Sequence, residues 1–296
     1  MVCRGVVPPC WDAVPRFGWS GGGDGRALLR GMLRHRPFPI AMELIRSRRN
    51  PLLTQVRALV ERAAERRQQG LSVLDGDHLV ADWLAAGRPV QCLLLAASRA
   101  GESAAWRSRG AEPVLVEDDC LAAVSPAGSH AGLVAMVPVP TPLPATSGSV
   151  LVLDAVQDPG NVGTAIRSAL ASGFAQVWLG PGCADAWSWK VLRGAQGAHA
   201  ALPVCQGIDL DAALAAFTGR VVALVPRDGV PLFAAELGGD VALLLGGEGG
   251  GLAERLIASS DLRVTIPMPG PAESLNVAVA AAIAMYERVR QSAVKA

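Results

Sequence analysis

The turn between a strand-like and a helix-like segment carries the side chains best suited to chemistry. An apolar run from Leu151 leads into Asp158-Pro159-Gly160-Asn161-Val162-Gly163, and the helix-like segment that follows carries Arg167. Ligands of α/β proteins bind at the carboxyl ends of strands, so an amide and a guanidinium placed here could bind a substrate. Two simpler roles stay open. Asn161 could be the N-cap of a helix that starts at the Asp-Pro pair, and a single helix arginine is usually a solvated surface residue.

Two later segments have the same strand-to-loop character. Leu243 to Leu252 reads LLLGGEGGGL, an apolar strand that ends in a glycine-rich loop with one acid, Glu248. Val264 to Tyr286 reads VTIPMPGPAESLNVAVAAAIAMY, a strand, a proline-rich loop and a helix of small apolar residues. Glycine lets the backbone approach a bulky ligand, although such a loop is also an ordinary helix entry and the prolines could be mere connection. No dinucleotide fingerprint fits the loop and no phosphate-binding P-loop occurs in the chain, which argues against NAD and ATP.

In order and spacing, these segments resemble the three motifs of the SpoU (TrmH-like) RNA 2′-O-ribose methyltransferases, members of the knotted SPOUT superfamily. The matching residues are Pro159-x-Asn161-x-Gly163-x-x-x-Arg167, then Gly246-x-Glu248-x-x-x-Leu252, then Ile266-Pro267-Met268 followed by Ser274-Leu275-Asn276-Val277. The resemblance implies an α/β fold: a SPOUT α/β knot, with a parallel sheet and a deep C-terminal trefoil knot, preceded by a small L30e-like α/β sandwich domain. Only the resemblance implies the knot, because general topology rules would exclude one.

The same resemblance implies a set of site residues. Those expected to act in catalysis are Arg167, Asn161, Glu248, Ser274 and Asn276. Those expected to hold the methyl donor, S-adenosyl-L-methionine, are Gly246, Gly247, Ile266, Met268 and Leu275.

Each catalytic candidate has an expected role. Arg167 should clamp the phosphate beside the target ribose and stabilise the developing alkoxide, because a guanidinium stays protonated and is a poor literal base. Asn161 should orient Arg167 or the ribose, and Glu248 should pair with an arginine. Ser274 and Asn276 should bond the substrate or lock the loop. Simpler roles remain open for them as well: Ser274 as an N-cap, Glu248 as a first-turn acid and Asn276 as a buried loop tether.

Composition is that of an ordinary globular protein, with 51% hydrophobic and 18% charged residues among 296. The apolar runs fall short of the roughly 20 residues that a membrane span needs. The six cysteines and four histidines are dispersed without a CxxC pair or zinc-ligand spacing. We therefore expect reduced thiols, a cytoplasmic location, no membrane contact and no metal.

Positive charge is concentrated at the beginning of the chain. Residues 1–70 hold 13 arginines and five acids, which leaves the remainder with an acidic excess. This part is the likelier polyanion-facing region. Lys190 and Lys295 are the two lysines of the sequence, so nearly all positive charge is guanidinium. Guanidinium suits bidentate phosphate contacts, although a GC-rich genome would give the same bias.

Four segments are predicted along the chain. Residues 1–41 are rich in proline and glycine and read as a disordered leader, with a targeting peptide or a true start at Met42 as alternatives. Residues 42–137 read as an L30e-like RNA substrate-binding domain. Its opening is predicted to form one amphipathic helix that starts after Asn50-Pro51 and has Arg57, Arg62, Arg66 and Arg67 on its polar face. Residues 138–149 read as a proline-rich linker, and residues 150–296 as the SPOUT (SpoU) methyltransferase domain. Its strands are predicted near Val150, Val177, Val221, Val241 and Val264.

The predicted function is S-adenosylmethionine-dependent methylation of a ribose 2′-hydroxyl in RNA by a homodimer. Ribosomal RNA is favoured because a separate L30e-like domain resembles the branch of the family that acts on it. Transfer RNA is the alternative substrate. A non-catalytic RNA-binding protein of the same fold and a methyltransferase acting on a base are the remaining alternatives.

Overall fold

A computed structural model describes residues 44–126 and 131–294, with side chains as far as residue 292. The predicted leader, residues 1–41, and the alternative start at Met42 lie outside the described residues, as do residues 127–130 and 295–296. Across the described ranges, no helix is both long enough and apolar enough to cross a bilayer.

The first half is a four-stranded sheet covered by helices on both faces. Its elements are α1 (Pro51–Glu61), α2 (Ala63–Gln69), β1 (Leu71–Asp75), α3 (Asp77–Ala85), β2 (Cys92–Ala96), α4 (Ser103–Ser108), β3 (Pro113–Val116), α5 (Asp118–Ala122) and β4 (Leu133–Pro138). The strand order is β1-β4-β2-β3, with β4 antiparallel to both neighbours and β2 parallel to β3. Leu94 contributes to the core below α1 and α5, and Leu93 and Leu95 contribute to the opposite face. This alternation confirms the predicted α/β sandwich.

The prediction of one continuous helix after Asn50-Pro51 is wrong, because the chain is extended at Arg62 (φ −121°, ψ 114°). The break leaves carbonyl groups at the end of α1 without partners from a following turn. Arg66 satisfies them: its Nη1 donates to the carbonyl oxygens of Leu59 (2.5 Å) and Val60 (3.1 Å). The sequence placed Arg66 on a solvated face, whereas its side chain is 6% exposed.

The second half is a seven-stranded parallel sheet. Its elements are β5 (Val150–Asp154), α6 (Pro159–Ala171), β6 (Gln176–Leu179), α7 (Trp189–Ala195), β7 (Val204–Gln206), α8 (Leu210–Ala215), β8 (Arg220–Leu224), β9 (Val230–Pro231), β10 (Val241–Gly246), α9 (Glu254–Ala258), β11 (Leu262–Thr265) and α10 (Val277–Val294). The strand order is β7-β6-β5-β10-β8-β11-β9, and every neighbouring pair is parallel. The five predicted strands are confirmed. The very short β7 and β9 were not predicted, because two or three residues give no recognisable period.

The proline-rich linker lies along the second half and is held there by hydrogen bonds. Gln176 Nε2 donates to the Leu143 carbonyl, and Gln176 Oε1 accepts from the Ala145 amide, both at 2.9 Å. The Gly148 amide donates to Asp240 Oδ2 at 2.7 Å. The predicted spacer is therefore anchored over much of its length.

The two sheets also contact each other directly. Arg66 Nη2 and Asp185 Oδ2 form an ion pair at 2.6 Å, and both side chains are largely buried. The Ser72 hydroxyl donates to the Trp187 carbonyl at 2.6 Å, and the Trp187 ring meets the edge of Trp83 with centroids 6.0 Å apart. One hydrophobic cluster contains residues of both halves. The relative position of the two sheets is thus fixed by buried contacts.

His199 belongs to this contact region. Its ring is 3% exposed and lies 4.9 Å from the Trp187 ring. Neither ring nitrogen has a hydrogen-bond partner within the described part of the chain. Burial lowers the pKa of His199 from 6.5 to about 4, against an opposing effect of the Ala186 backbone. The fold therefore holds this imidazole neutral.

Replacing His199 by leucine is expected to reduce the loss of stability in acid. The unfolded imidazole takes up a proton below about pH 6.5 and the folded one only near pH 4, so the contribution to stability falls as the pH is lowered between these values. Urea denaturation at pH 7 and pH 4.5 should show that the wild type loses roughly 2–3 kcal/mol more than His199→Leu. Carboxylates contribute equally to both proteins, so equal losses would contradict the predicted role.

Candidate active site

The carboxyl ends of β5, β10 and β11 bring the three predicted segments to one edge of the sheet. Gly246 at the end of β10 lies opposite Asp154 at the end of β5. α6 follows β5, the glycine-rich loop follows β10, and residues 266–276 connect β11 to α10. Because parallel strands end at the same edge, polar residues far apart in the sequence meet there.

Asn161 joins all three segments through its side-chain amide. Its Nδ2 donates to Oε1 of Glu248 in the glycine-rich loop. Its Oδ1 accepts from Nδ2 of Asn276 at 2.8 Å. The Oδ1 of Asn276 accepts in turn from the amides of Ala278 (2.9 Å) and Val279 (3.3 Å) at the start of α10. Donors and acceptors therefore run in one direction, from α10 through two asparagines to the Glu248 carboxylate.

Several of the roles considered for these side chains are wrong. Asp158, not Asn161, caps α6, since its Oδ1 accepts from the Asn161 amide at 2.8 Å. Asn276, not Ser274, caps α10, and Asn276 is exposed rather than a buried tether. The side-chain partner of Glu248 is the Asn161 amide instead of an arginine, and Asn161 bonds Glu248 and Asn276 rather than Arg167. Ser274 lies exposed in the loop before α10.

Two glycines at the end of β10 are required by close backbone approach. A methyl group added at Gly246 would lie 1.9 Å from the carbonyl carbon of Gly251 and 2.0 Å from the Leu252 amide nitrogen. One added at Gly247 would lie 2.2 Å from the carbonyl oxygen of Ala155. The chain leaving the loop therefore crosses directly over the end of the strand that entered it, which allows no side chain at either position.

Asp154 is a residue of this site that the sequence analysis missed. Its side chain is largely buried, and its Oδ2 accepts from the Ala253 amide at 3.0 Å, where the glycine-rich loop ends. Its carbonyl oxygen accepts from the Gly247 amide at 2.9 Å, where the loop begins. Asp154 thus fastens both ends of the loop. An acid closing the apolar run LVLD, at the ligand-binding end of a strand, was the available signal.

The predicted cofactor residues lie at the end of β10 and in the loops that follow β10 and β11. Methyl groups added at Gly249 or Gly250 would meet no atom within 4 Å, so the loop backbone borders open space. Ile266 and Met268 are half-buried in the loop after β11, and Leu275 is 38% exposed. Backbone amides and carbonyls beside apolar side chains can bind a purine ring and its ribose. The residues present fit S-adenosylmethionine.

Arg167 lies on α6 one turn beyond Gly163. A methyl group at Gly163 would lie 2.7 Å from the Val191 carbonyl oxygen and 2.9 Å from the Gly194 Cα, so α6 contacts the backbone of α7 there. Residues four apart share a helix face, which places Arg167 on the α7 side of α6. Arg167 is exposed, and no hydrogen bond or ion pair involves its guanidinium among the residues described. It is available for an anionic ligand.

No group of three or more His, Cys, Asp or Glu side chains that could hold a metal ion occurs in residues 44–126 and 131–294.

Comparison with known proteins gives concordant matches for both halves. A sequence model of the SpoU rRNA Methylase family matches residues 148–286, and one of the MRM3-like substrate binding domain matches residues 50–135. The 23S rRNA (guanosine(2553)-2′-O)-methyltransferase RlmP of Bacillus subtilis (strain 168) is 36% identical over 75% of this chain and 90% of its own length.

Solved structures agree over most of the chain. The AdoMet-bound rRNA methyltransferase from Sinorhizobium meliloti has a TM-score of 0.75 and 26% identity, covering 84% of this chain and 98% of that one. The SpoU methyltransferase AviRb from Streptomyces viridochromogenes, in complex with the cofactor AdoMet, has a TM-score of 0.74 and 28% identity, covering 82% and 98%.

Fold and site together define an α/β-knot methyltransferase of the SPOUT class that uses S-adenosylmethionine. The chain belongs to the SpoU rRNA Methylase family. The predicted fold class and methyl donor are thereby confirmed.

Replacing Gly246 by alanine is expected to distort the loop, because the new methyl group would overlap backbone atoms that cannot move independently. We expect a loss of stability of about 1–3 kcal/mol or more and a large loss of S-adenosylmethionine affinity. Denaturant titration and calorimetric titration measure the two effects.

Gly249→Ala is the matched control for stability, because its methyl group enters open space. Its free energy of unfolding should stay within about 1 kcal/mol of wild type. Equal destabilisation by both substitutions would show that the close approach at Gly246 is unimportant.

Proposed function

We propose that this protein transfers the methyl group of S-adenosylmethionine to a ribose 2′-hydroxyl of ribosomal RNA. The carbon–sulfur bond breaks, a carbon–oxygen bond forms, and the hydroxyl proton is lost to solvent or to a nearby acceptor. The observation that carries the proposal is the convergence of the three motifs on Asn161, next to the glycine-rich loop and on the same helix as the exposed Arg167. The name of the Bacillus subtilis relative supports 23S ribosomal RNA as the substrate class.

The bound cofactor would supply an electrophilic methyl group. Gly246, Gly247, Ile266, Met268 and Leu275 would hold its adenosine part through backbone groups and apolar contact. In-line approach of the ribose oxygen depends on holding both reactants in place, so the rigidity of this edge supplies much of the rate enhancement.

Arg167 acts as an electrostatic clamp. Its guanidinium stays protonated, binds the phosphate beside the target ribose, and stabilises negative charge that develops on the 2′-oxygen. Asn161 and Asn276 fix the position of Glu248, so that its carboxylate stands beside the cofactor loop with a defined orientation. Ser274, exposed in the same loop, contributes a hydroxyl for the substrate.

The predicted domain division is part of the proposal. Residues 42–137 bind RNA, residues 138–149 link, and residues 150–296 carry out methyl transfer. The separate four-stranded and seven-stranded sheets support this division. The cytoplasmic location predicted from the sequence remains a prediction.

A homodimer is the proposed assembly, and an exposed apolar face supports it. Val279 and Tyr286, seven residues apart on α10, are 48% and 51% exposed. Leu170 is 39% exposed on α6, the helix against which α10 packs. An apolar face of two long helices is a typical contact between identical subunits.

Arg167→Ala is expected to lower the rate of methyl transfer about 100-fold or more, because it removes the charge that stabilises the 2′-oxyanion. The assay uses isotope-labelled S-adenosylmethionine with unmodified ribosomal RNA and tRNA, followed by nuclease digestion and nucleoside mass analysis. A 2′-O-methyl nucleoside should appear in ribosomal RNA.

Arg167→Lys separates geometry from charge. It should retain RNA affinity but lose about tenfold in turnover, because an ammonium cannot form the bidentate contact. Arg220→Ala removes an exposed arginine at the amino end of β8, the opposite edge of the sheet from the motifs, and serves as the control of equal charge change. Full turnover in Arg167→Lys would refute the clamp.

Replacing Val279 and Tyr286 by glutamate should give monomers, because charged side chains cannot be buried unpaired at a subunit contact. Light scattering at matched concentrations measures the mass. Leu143→Glu, a change at an apolar side chain that is 84% exposed in the linker, is the control and should remain dimeric. A persistent dimer in the double variant would place the interface elsewhere.

A further inference from the structure

A cleft of about 250 Å³ lies between the two halves, away from the glycine-rich loop. Asp75, Asp77 and His78, from the β1–α3 connection, form one wall. Trp189, Arg193 and Gln196, along α7, form the other. The volume is below the roughly 300–1,000 Å³ of pockets for drug-sized ligands, so the cleft suits a single ring system.

The walls of this cleft are held in place. On one side Arg99 donates to both carboxylate oxygens of Asp77, at 2.6 and 3.1 Å. On the other side, α7 follows directly after Asp185 and Trp187, whose contacts with the first half are buried. A cleft with fixed walls can bind a ligand without the entropy cost of closing.

The chemistry of the α7 wall suits a nucleotide. Trp189 offers an indole ring on which a base can stack, and the Lys190 ammonium lies 5.8 Å from that ring. Arg193 is exposed, and no acid pairs with it in the part of the chain that the structure describes. Gln196 donates from Nε2 to the Arg193 carbonyl at 2.7 Å, which holds its amide at the rim. Aromatic rings and guanidinium groups together recognise unstacked RNA bases and their phosphates.

The acids of the opposite wall do not repel such a ligand as free charges would. Arg99 pairs with the Asp77 carboxylate and also with Glu102, so it offsets part of the negative charge of this wall. Asp75 accepts a hydrogen bond from the Ser125 hydroxyl at 2.9 Å. The Asp77 carboxylate, which is 48% exposed, is an acceptor for the amino or imino groups of a base edge.

The cleft is connected to the proposed catalytic helix through α7. The backbone of α7 at Val191 and Gly194 contacts Gly163 of α6, and Arg167 lies one turn further along α6 on the same side. A nucleotide held against α7 would therefore set the path of the RNA strand relative to Arg167.

We propose that this cleft binds one unpaired nucleotide of the RNA substrate, with its base stacked on Trp189 and its phosphate paired with Arg193. The inference rests on the proposed function, because it assigns a second anchoring point to the same RNA. Trp189 and Arg193 are positioning residues and touch neither the cofactor loop nor the reacting atoms.

Trp189→Ala and Arg193→Ala test the proposal with in vitro transcribed 23S ribosomal RNA. Each should raise the dissociation constant for the RNA about tenfold, as expected for one lost stacking or phosphate contact. The affinity for S-adenosylmethionine should stay unchanged. Trp189→Phe should bind within about twofold of wild type, because phenylalanine keeps an aromatic face.

Arg220→Ala is the matched control. Arg220 is also an exposed arginine, lies at the amino end of β8 outside the proposed RNA-binding domain, and does not line the cleft. Wild-type affinity in both Trp189→Ala and Arg193→Ala would overturn the proposal. So would a loss in Arg220→Ala equal to that in Arg193→Ala, since general charge would then explain the effect.

The RNA-binding measurement stands apart from methyl transfer. If the wild type binds the RNA but forms no 2′-O-methyl nucleoside, the proposed function fails while the binding constants of the variants still decide the role of the cleft. If turnover is normal and the binding constants do not change, the cleft proposal alone fails.

Discussion

The arrangement of the candidate active site, at the carboxyl edge of the parallel sheet, depends on the side-chain amide of Asn161. Asn161 donates and accepts at the same time, which lets it join an acid from one loop to an amide from another. An aspartate at this position would place a second carboxylate beside Glu248, and an apolar residue would remove the side-chain hydrogen bonds to Glu248 and Asn276. Hydrogen bonds near the surface contribute only about 0.5–1.5 kcal/mol each, so they cannot assemble the site unaided. The surrounding structure must bring the three segments within reach first.

Backbone contacts provide that assembly. The returning chain crosses Gly246 closely, Gly247 lies against the Ala155 carbonyl, and Asp154 bonds both ends of the loop, which therefore has little freedom. Gly163 and Gly194 allow α6 to lie directly on α7. The buried pair of Arg66 and Asp185 then fixes the segment before α7 against the first half. The position of α6 is thus set through its backbone contact with α7.

The sequence was sufficient for the fold and for the expectation that three motifs meet at one edge of the sheet, and insufficient for the hydrogen-bond partners there. Periodicity located nearly every strand. The sequence allowed Asn161 as the cap of α6, but Asp158 is the cap, because Asn161 makes tertiary contacts with Glu248 and Asn276 instead. Arg66 looked like a surface residue because its partner, Asp185, lies 119 positions away. Asp154 was missed because a single acid at a strand end is common.

The buried contact between the halves determines which parts of this protein can be exchanged with those of its relatives. Arg66 lies in α2, whereas Asp185 and Trp187 lie in the segment before α7. The polar contacts between the halves therefore involve residues of both halves. A chimaera that joins the first half of one relative to the second half of another at the proline-rich linker would have a continuous chain. Its two contact surfaces, however, would come from different proteins and their side chains would not be complementary. The transferable module is therefore the first sheet together with the segment leading into α7, a unit that is discontinuous in the sequence.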